Sequence, residues 1–545
     1  MPEIIVQHFQ INFKPFAKNF TPFCKVFTGF LVASHAARFV PRAAGNTWDM
    51  KTLYKNCSLP LAGGQDEKEF CVAGGKFAPA EAPYDETIDL GGAAVLPAFC
   101  DAHSHLLAYA LSLTQADGTS AATAQDFIAC AERFARENGM GELDLVTIRN
   151  AKTLPDAAPL ETCLRPLHIQ LRSGHAGLFN GAARRLLGLG ERAVLEETEY
   201  LAATRRVPLP EGETLKAAFA KAQARYFSYG VTTAQEGILT REMFPLYDTL
   251  LPTLRIDVVA YPSPADYDDA RARFHPSERE AGARGDKDGA NDLHGAFRVG
   301  GVKIFLDGSP QQKTALLRAP YEGGGMGVQT MSAAEVLESC RFASGRGAQL
   351  LAHCNGDGAA ELFLNALEQL TPAARAGCRP VLIHGQILGD DQLERIKRLG
   401  VIPSFFVAHV REFGDTHLTN LGRARGMRIS PTRSALVRGI PFTLHQDAPV
   451  CEPDPLDAVA CAVLRTTKAG KRLAGQEISV LDALRAVTEH AAAQYGFGDR
   501  GRIAAGQRAD FVILNRDPLA CNAEDLPDLR VVETYMKGRR VFPAE

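Results

Sequence analysis

The chain of 545 residues is 46% hydrophobic and 23% charged, so it holds enough apolar matter for a large core and enough length for more than one domain. A formal net charge of −3, with neither sign dominant, removes the electrostatic case for nucleic acid or an anionic membrane surface and leaves a small molecule as the expected partner. The 12 cysteines lie at irregular intervals without a Cys-x-x-Cys pair, which argues against a zinc ribbon and for a reducing, cytoplasmic compartment.

Residues 1–49 are rich in phenylalanine and show no clear period, whereas Met50 opens a stretch that reads as the start of a strand. The expectation is that Met50 is the initiator and that 1–49 is a non-native or disordered extension. No apolar run is long enough to span a bilayer. Short apolar runs then punctuate the chain: Ala94–Phe99, Thr232–Gln235, Ile256–Tyr261, Val302–Leu306, Gln349–His353, Pro380–His384, Ile402–Phe405 and Pro441–Leu444. Helix-like segments such as Ala333–Arg341 and Asp391–Leu399 fall between them. Strand alternating with helix predicts βαβ units and a parallel sheet, and eight repeats predict closure into a (β/α)8 TIM barrel over 94–502. The first interval, at about 130 residues, is far too long for a crossover and predicts an insertion over about 110–228, including Leu167–Leu171. Segments 50–93 and 503–545 are rich in short strands and turns, and are expected to pair into one small composite β-sandwich domain.

The chemistry-bearing residues collect at the ends of these strands. His103 and His105 in "LPAFCDAHSHL" are two apart, so on an extended strand they share a face and can hold one metal ion. His353 in "LLAHCNGDG" and His384 in "VLIHGQIL" each close an apolar run. One such histidine alone is more often structural; two, together with the first pair, form a constellation. Asp447 in "IPFTLHQDAPV" ends the eighth run, where a carboxylate among imidazoles is suited to bind a metal ion and accept a proton. His445 ranks below it as a supporting residue. Lys303 sits inside an apolar run, where an unpaired ammonium is costly. Two readings stay open for it: a partner of a barrel carboxylate, which the residues alone favour, or a lysine carbamylated by CO2 that bridges two metals. His175, His409, Gln235 and Glu236 are expected near the mouth as substrate-binding groups, with ordinary hydrogen bonding as the alternative. Asp307 and Asp357 read as loop-turn residues.

The order His-x-His, Lys, His, His, Asp resembles the amidohydrolase superfamily. The stretches "YGVTTAQEG", "GVKIFLDGSPQQKTA", "RISPTRSALVRGIPFTLHQDAPV" and "GRIAAGQRADFVIL" resemble its amidohydrolase 3 branch, which includes N-substituted formamide deformylases. The resemblance covers essentially all of 50–545. It implies His103, His105, Lys303, His353, His384 and Asp447 as ligands of one or two divalent ions, most plausibly zinc. It also implies hydrolysis of a C–N bond in an amide or formamide by a metal-activated hydroxide, with Asp447 as the proton shuttle. The expected partner is that small molecule, with no nucleic acid and no membrane, and with a homodimer as the assembly to test for. Cyclic amide opening, deamination and a regulatory metal-binding pseudoenzyme are the alternatives; an intact Asp447 argues against the last. Gly385 and His490 depart from the branch pattern away from the ligands, where they bear on substrate choice.

This reading predicts about one or two divalent ions per chain, since a hydrolase site of this kind is built on them. Replacing both His103 and His105 by Ala should remove at least one. Elemental analysis checks it, and full occupancy in the double variant would refute the pair as ligands.

Overall fold

The computed structural model describes residues 50–61, 68–171, 176–275 and 295–543. The extension 1–49 and His175 therefore lie outside the described residues. The chain divides into two compact units, one within Ala108–Phe219 and the other within 37–107 and Ala220–Glu545.

The smaller unit is built on a five-stranded sheet made of Ala116–Asp117, Val146–Ala151, Leu167–Leu171, Ala176–Phe179 and Val194–Glu196. Helix Ala124–Glu137 starts at a capping box, with the Thr123 side chain bonded to Asp126 N and the Asp126 carboxylate to Thr123 N. It buries Phe127, Cys130, Ala131 and Ala135 in a cluster with Ile148, Ile169 and Leu178.

The larger unit carries the parallel strands. They are β1 (Phe99–Cys100), β2 (Val231–Leu239), β3 (Asp257–Pro262), β4 (Gly301–Phe305), β5 (Gln349–Cys354), β6 (Val381–His384), β7 (Ile402–Phe405) and β8 (Thr443–Leu444). β1, β2, β3 and a short strand Phe297–Val299 form one parallel sheet; β4 to β8 form another. Most intervals between them carry a helix, such as Ala333–Gly345 and Asp390–Leu399, which gives an α/β fold. The nine residues of β2 are all buried, as a strand covered on both faces requires.

The two sheets share one continuous stretch of chain. Phe297–Val299 pairs with β3, and Gly301–Phe305 pairs with β5. Gly300 between the two strands and Gly301 at the start of β4 make room for the switch. A Cβ on Gly300 would lie 2.4 Å from Val259 Cγ1 of the first sheet, and a Cβ on Gly301 would lie 2.0 Å from Gln349 O of the second. Only bare backbone passes between neighbours this close.

The run Ala94–Phe99, expected as one barrel strand, is split. Ala94–Pro97 pairs antiparallel with Phe511–Leu514, and only Phe99–Cys100 joins the parallel sheet. The break falls at Ala98, whose N–H bonds to Asp510 O, while Phe99 N–H bonds to Gly230 O. An apolar run reports burial but not which sheet buries it. Phe511–Leu514 continues into Val531–Met536 and Arg539–Phe542. Against these lie Thr52–Lys55, Glu69–Ala73, Lys76–Ala78 and Glu86–Asp89, joined through a shared core of Tyr54, Phe70, Phe77, Phe511 and Tyr535. Tyr54 stacks on Phe70 at 4.8 Å and Phe511 on Tyr535 at 4.3 Å.

Gly301→Ala should destabilise the protein by about 1–3 kcal/mol or more, because backbone cannot move aside as a side chain can. A lowered denaturant midpoint in the variant checks it; an unchanged midpoint would mean the strand relaxes freely.

Candidate metal centre

The carboxyl ends of β1, β5, β6 and β8 present His103 and His105, His353, His384, and Asp447. Three of them form a compact set: His103, His105 and Asp447 each offer one ligand atom, all within 4.8 Å of one another. Asp447 Oδ1 lies 3.5 Å from His103 Nε2 and 3.4 Å from His105 Nε2. That is too long for good hydrogen bonds. Two donors that each sit about 2.0–2.1 Å from a tetrahedral cation lie roughly 3.3–3.4 Å apart, which matches the spacing found. Among the described residues Asp447 Oδ1 is buried without a hydrogen-bond partner, which suits it to a cation.

The tautomer of His103 is set by its surroundings. Gln235 Nε2 donates to Ala102 O and to Tyr495 OH, both at 3.0 Å, so Gln235 Oε1 is the acceptor that faces His103 Nδ1 at 2.5 Å. The Nδ1 proton points at Gln235 and the Nε2 lone pair points at Asp447 and Lys303. Burial first, then the nearby Lys303, holds His103 well below the usual histidine range, so the ring stays neutral and able to ligate. Behind His105, Glu236 Oε1 lies 3.9 Å from Nδ1, and Glu236 Oε2 accepts from Leu107 N at 2.9 Å and Tyr247 OH at 2.6 Å. Gln235 and Glu236 were expected against the substrate. Both are fully buried: Gln235 bonds to His103 with both amide protons engaged by Ala102 O and Tyr495 OH, and Glu236 stands beside His105.

Lys303 is buried on β4 with Nζ 3.2 Å from His103 Nε2. Among the described residues no carboxylate comes within ion-pairing distance of it, so the expected barrel partner is not found there. Burial pushes its amine down to about 7. His353 Nδ1 and His384 Nε2 face each other at 3.0 Å. His384 Nδ1 lies 3.2 Å from His445 Nε2, and His445 Nδ1 lies 2.8 Å from Ser404 Oγ. His445, ranked low from sequence, is thus a buried link from His384 on β6 to Ser404 on β7.

Burial would raise the Asp447 carboxyl. The approach of His105, with His445 and Lys303 nearby, more than offsets that and leaves it below its ordinary value. Asp447 and His384 hold left-handed backbone, with φ of 53° and 78°. Such conformations cost roughly 1–3 kcal/mol each and persist where the surroundings over-determine them, commonly at functional sites. Asp307 is no mere turn residue: it is buried, its two oxygens accept from Asn355 N, Gly356 N and Leu316 N, and burial pushes its carboxyl up to about 8. Asp357, by contrast, accepts from Arg318 N at 2.9 Å. His409 pairs through Nδ1 with His417 Nε2 at 3.1 Å. Sequence reasoning passed over Gly237, Tyr495 and His417. Only Gly237, a glycine inside a buried strand, carried a local signal.

The sequence profile Amidohydro_3, described as the amidohydrolase family, matches residues 86–542. The chain is similar to YtcJ of Bacillus subtilis (strain 168), at 28% identity over 84% of this chain and 91% of that protein. It is also similar to the N-substituted formamide deformylase of Arthrobacter pascens, at 26% identity over 84% of this chain and 90% of that one. An uncharacterized metal-dependent hydrolase from Pyrococcus furiosus shares the fold, with a TM-score of 0.70 at 22% identity over 86% of this chain and 100% of that one. Among the described residues no helix is long and apolar enough to cross a membrane.

A Cβ on Gly237 would lie 2.6 Å from His103 Cε1 and 3.0 Å from His105 Cε1. Gly237→Ala should therefore displace both rings and lower the bound divalent cation several-fold without altering a ligand. Cation content and affinity of the purified variant check it; wild-type affinity would show that the rings have room.

Proposed function

Since the chain belongs to the amidohydrolase family and is an enzyme, we propose that it hydrolyses the C–N bond of a small amide, with N-substituted formamides as the first class to test. The observation that carries this is the spacing of His103 Nε2, His105 Nε2 and Asp447 Oδ1, three donors set for one cation. We read 94–502 as one closed (β/α)8 barrel with an insertion over about 110–228, and 50–93 with 503–545 as a composite β-domain. In support of closure, His105 N–H bonds to Ala448 O at 2.9 Å, and Gln494 joins Ala102 O to Thr443 Oγ1.

His103, His105 and Asp447 would hold a divalent ion, with zinc suited to this nitrogen and oxygen set; a second would rest on His353, His384 and a carbamylated Lys303. Such an ion supplies Lewis acidity, which lowers the pKa of water and polarises a carbonyl oxygen. The remaining work falls to the protein. Asp447, ionised at neutral pH, accepts the proton that water loses as it adds to the carbonyl carbon. It delivers that proton to the nitrogen as the C–N bond breaks, because an amine leaves poorly unless protonated. His445 donates from Nδ1 to Ser404 Oγ, His384 from Nδ1 to His445, and His353 from Nε2 to Gly308 O at 3.2 Å. In this assignment His384 Nε2 and His353 Nδ1 turn lone pairs inward. Lys303 supports carbamylation because its pKa of about 7 leaves an appreciable share of neutral amine, and only that form attacks CO2, losing a proton as the carbamate forms. The neutral fraction grows as pH rises through that value, so activation by bicarbonate should strengthen above about pH 7 and fade below it.

Turnover of a panel of N-substituted formamides and N-acyl amines, with and without chelator, tests the activity; no turnover by the metal-loaded enzyme would overturn it. Asp447→Asn should keep most of the cation while kcat falls by roughly 10²–10⁴, the usual share of general acid–base catalysis. Lys303→Ala should lose cation and activity, and short carboxylic acids should partly restore both. No rescue would return Lys303 to a structural role.

A further inference from the structure

The buried pair His409 and His417 has a place in this site that the cation-binding residues do not explain. β7 ends at Phe405, and the chain turns through Phe406 to His409 at the end of the strands that also carries His384 and Asp447. Phe406 packs on His409 with centroids 4.6 Å apart and stacks on His445 at 5.4 Å. His409 is thus one ring removed from the metal-centre histidines. Both His409 and His417 sit on helix His409–Gly426, and both are buried.

Their shared hydrogen bond, 3.1 Å between His409 Nδ1 and His417 Nε2, holds one proton and has two possible directions. His417 Nδ1 decides between them, because it is buried with no hydrogen-bond partner among the described residues. If His409 donated, His417 would carry its proton on Nδ1 and bury an orphaned N–H, a rarer fault in proteins than an orphaned acceptor. If His417 donates, only a lone pair is orphaned, and His409 must carry its proton on Nε2. Among the described residues that Nε2 meets no protein acceptor. Burial holds both rings neutral, with His417 pushed down to about 3.

We propose that His409 is a catalytic residue that donates its Nε2–H to the carbonyl oxygen of the amide substrate, and that His417 is the positioning residue that fixes this tautomer. The inference rests on the amide-hydrolase reading of the same site. It favours substrates whose carbonyl oxygen gains negative charge in the reaction, because a preplaced donor acts most strongly on that charge.

Two readouts on the metal-loaded full chain test it. Long-range 1H–15N spectra of histidine-labelled protein, with the His409 signal assigned by its loss in His409→Gln, should show His409 protonated at Nε2, and His417→Leu should move it toward a mixture. A wild-type His409 protonated at Nδ1 would overturn the proposal, whether or not any panel amide is turned over, so this readout fails separately from the assigned activity. With a substrate in hand, His409→Phe should lower kcat by about 10²–10³, the usual loss for one oxyanion donor, at unchanged cation content. His409→Gln, which keeps an N–H, should recover part of that loss. An unchanged kcat in His409→Phe would also overturn it.

Discussion

An imidazole binds a cation only when it is neutral and its free lone pair points at the ion, and the arrangement around this site enforces both conditions. Burial keeps His103 and His384 far from protonation, and each ring has its outward nitrogen occupied by a partner. For His103 that partner is Gln235, itself locked by Ala102 O and Tyr495 OH. For His384 it is His445, backed by Ser404. The residues behind these histidines therefore set which ring nitrogen stays free.

Bringing these groups together demands close approach of backbones, and the chain meets that demand with small residues and tolerated strain. Gly300 and Gly301 let one stretch of strand serve two sheets, and Gly237 leaves room beneath His103 and His105. His384 and Asp447 adopt left-handed backbone although neither is glycine. Strain at these two positions, neither exposed on a loop tip, fits a scaffold that trades some stability for placement.

Family membership and site geometry answer different questions. The profile matched over 86–542 establishes the family, and the likeness to a solved structure at 22% identity shows the fold. Substrate choice is made by groups around the mouth rather than by the metal set, since one fold hosts many reactions. Glu236, Asp307 and His417 are fully buried, so part of the polar inventory of this unit lies within the packed interior.

The sequence by itself determined the alternation of strand and helix, because apolar runs separated by amphipathic segments have few other ways to bury themselves. It also determined the order of chemistry-bearing residues, since His103, His105, His353, His384 and Asp447 each close an apolar run and strand ends can be read locally. Tertiary structure alone decided which sheet each run joins: Ala94–Pro97 and Phe99–Cys100 read as one strand but pair with different partners. It likewise decided the partners of the polar residues, setting Gln235 against His103 and Glu236 beside His105. Hydrophobic periodicity reports only whether a position is buried. The hydrogen bond that orients His103 joins residues 132 apart in sequence, and no local pattern encodes a partner at that distance.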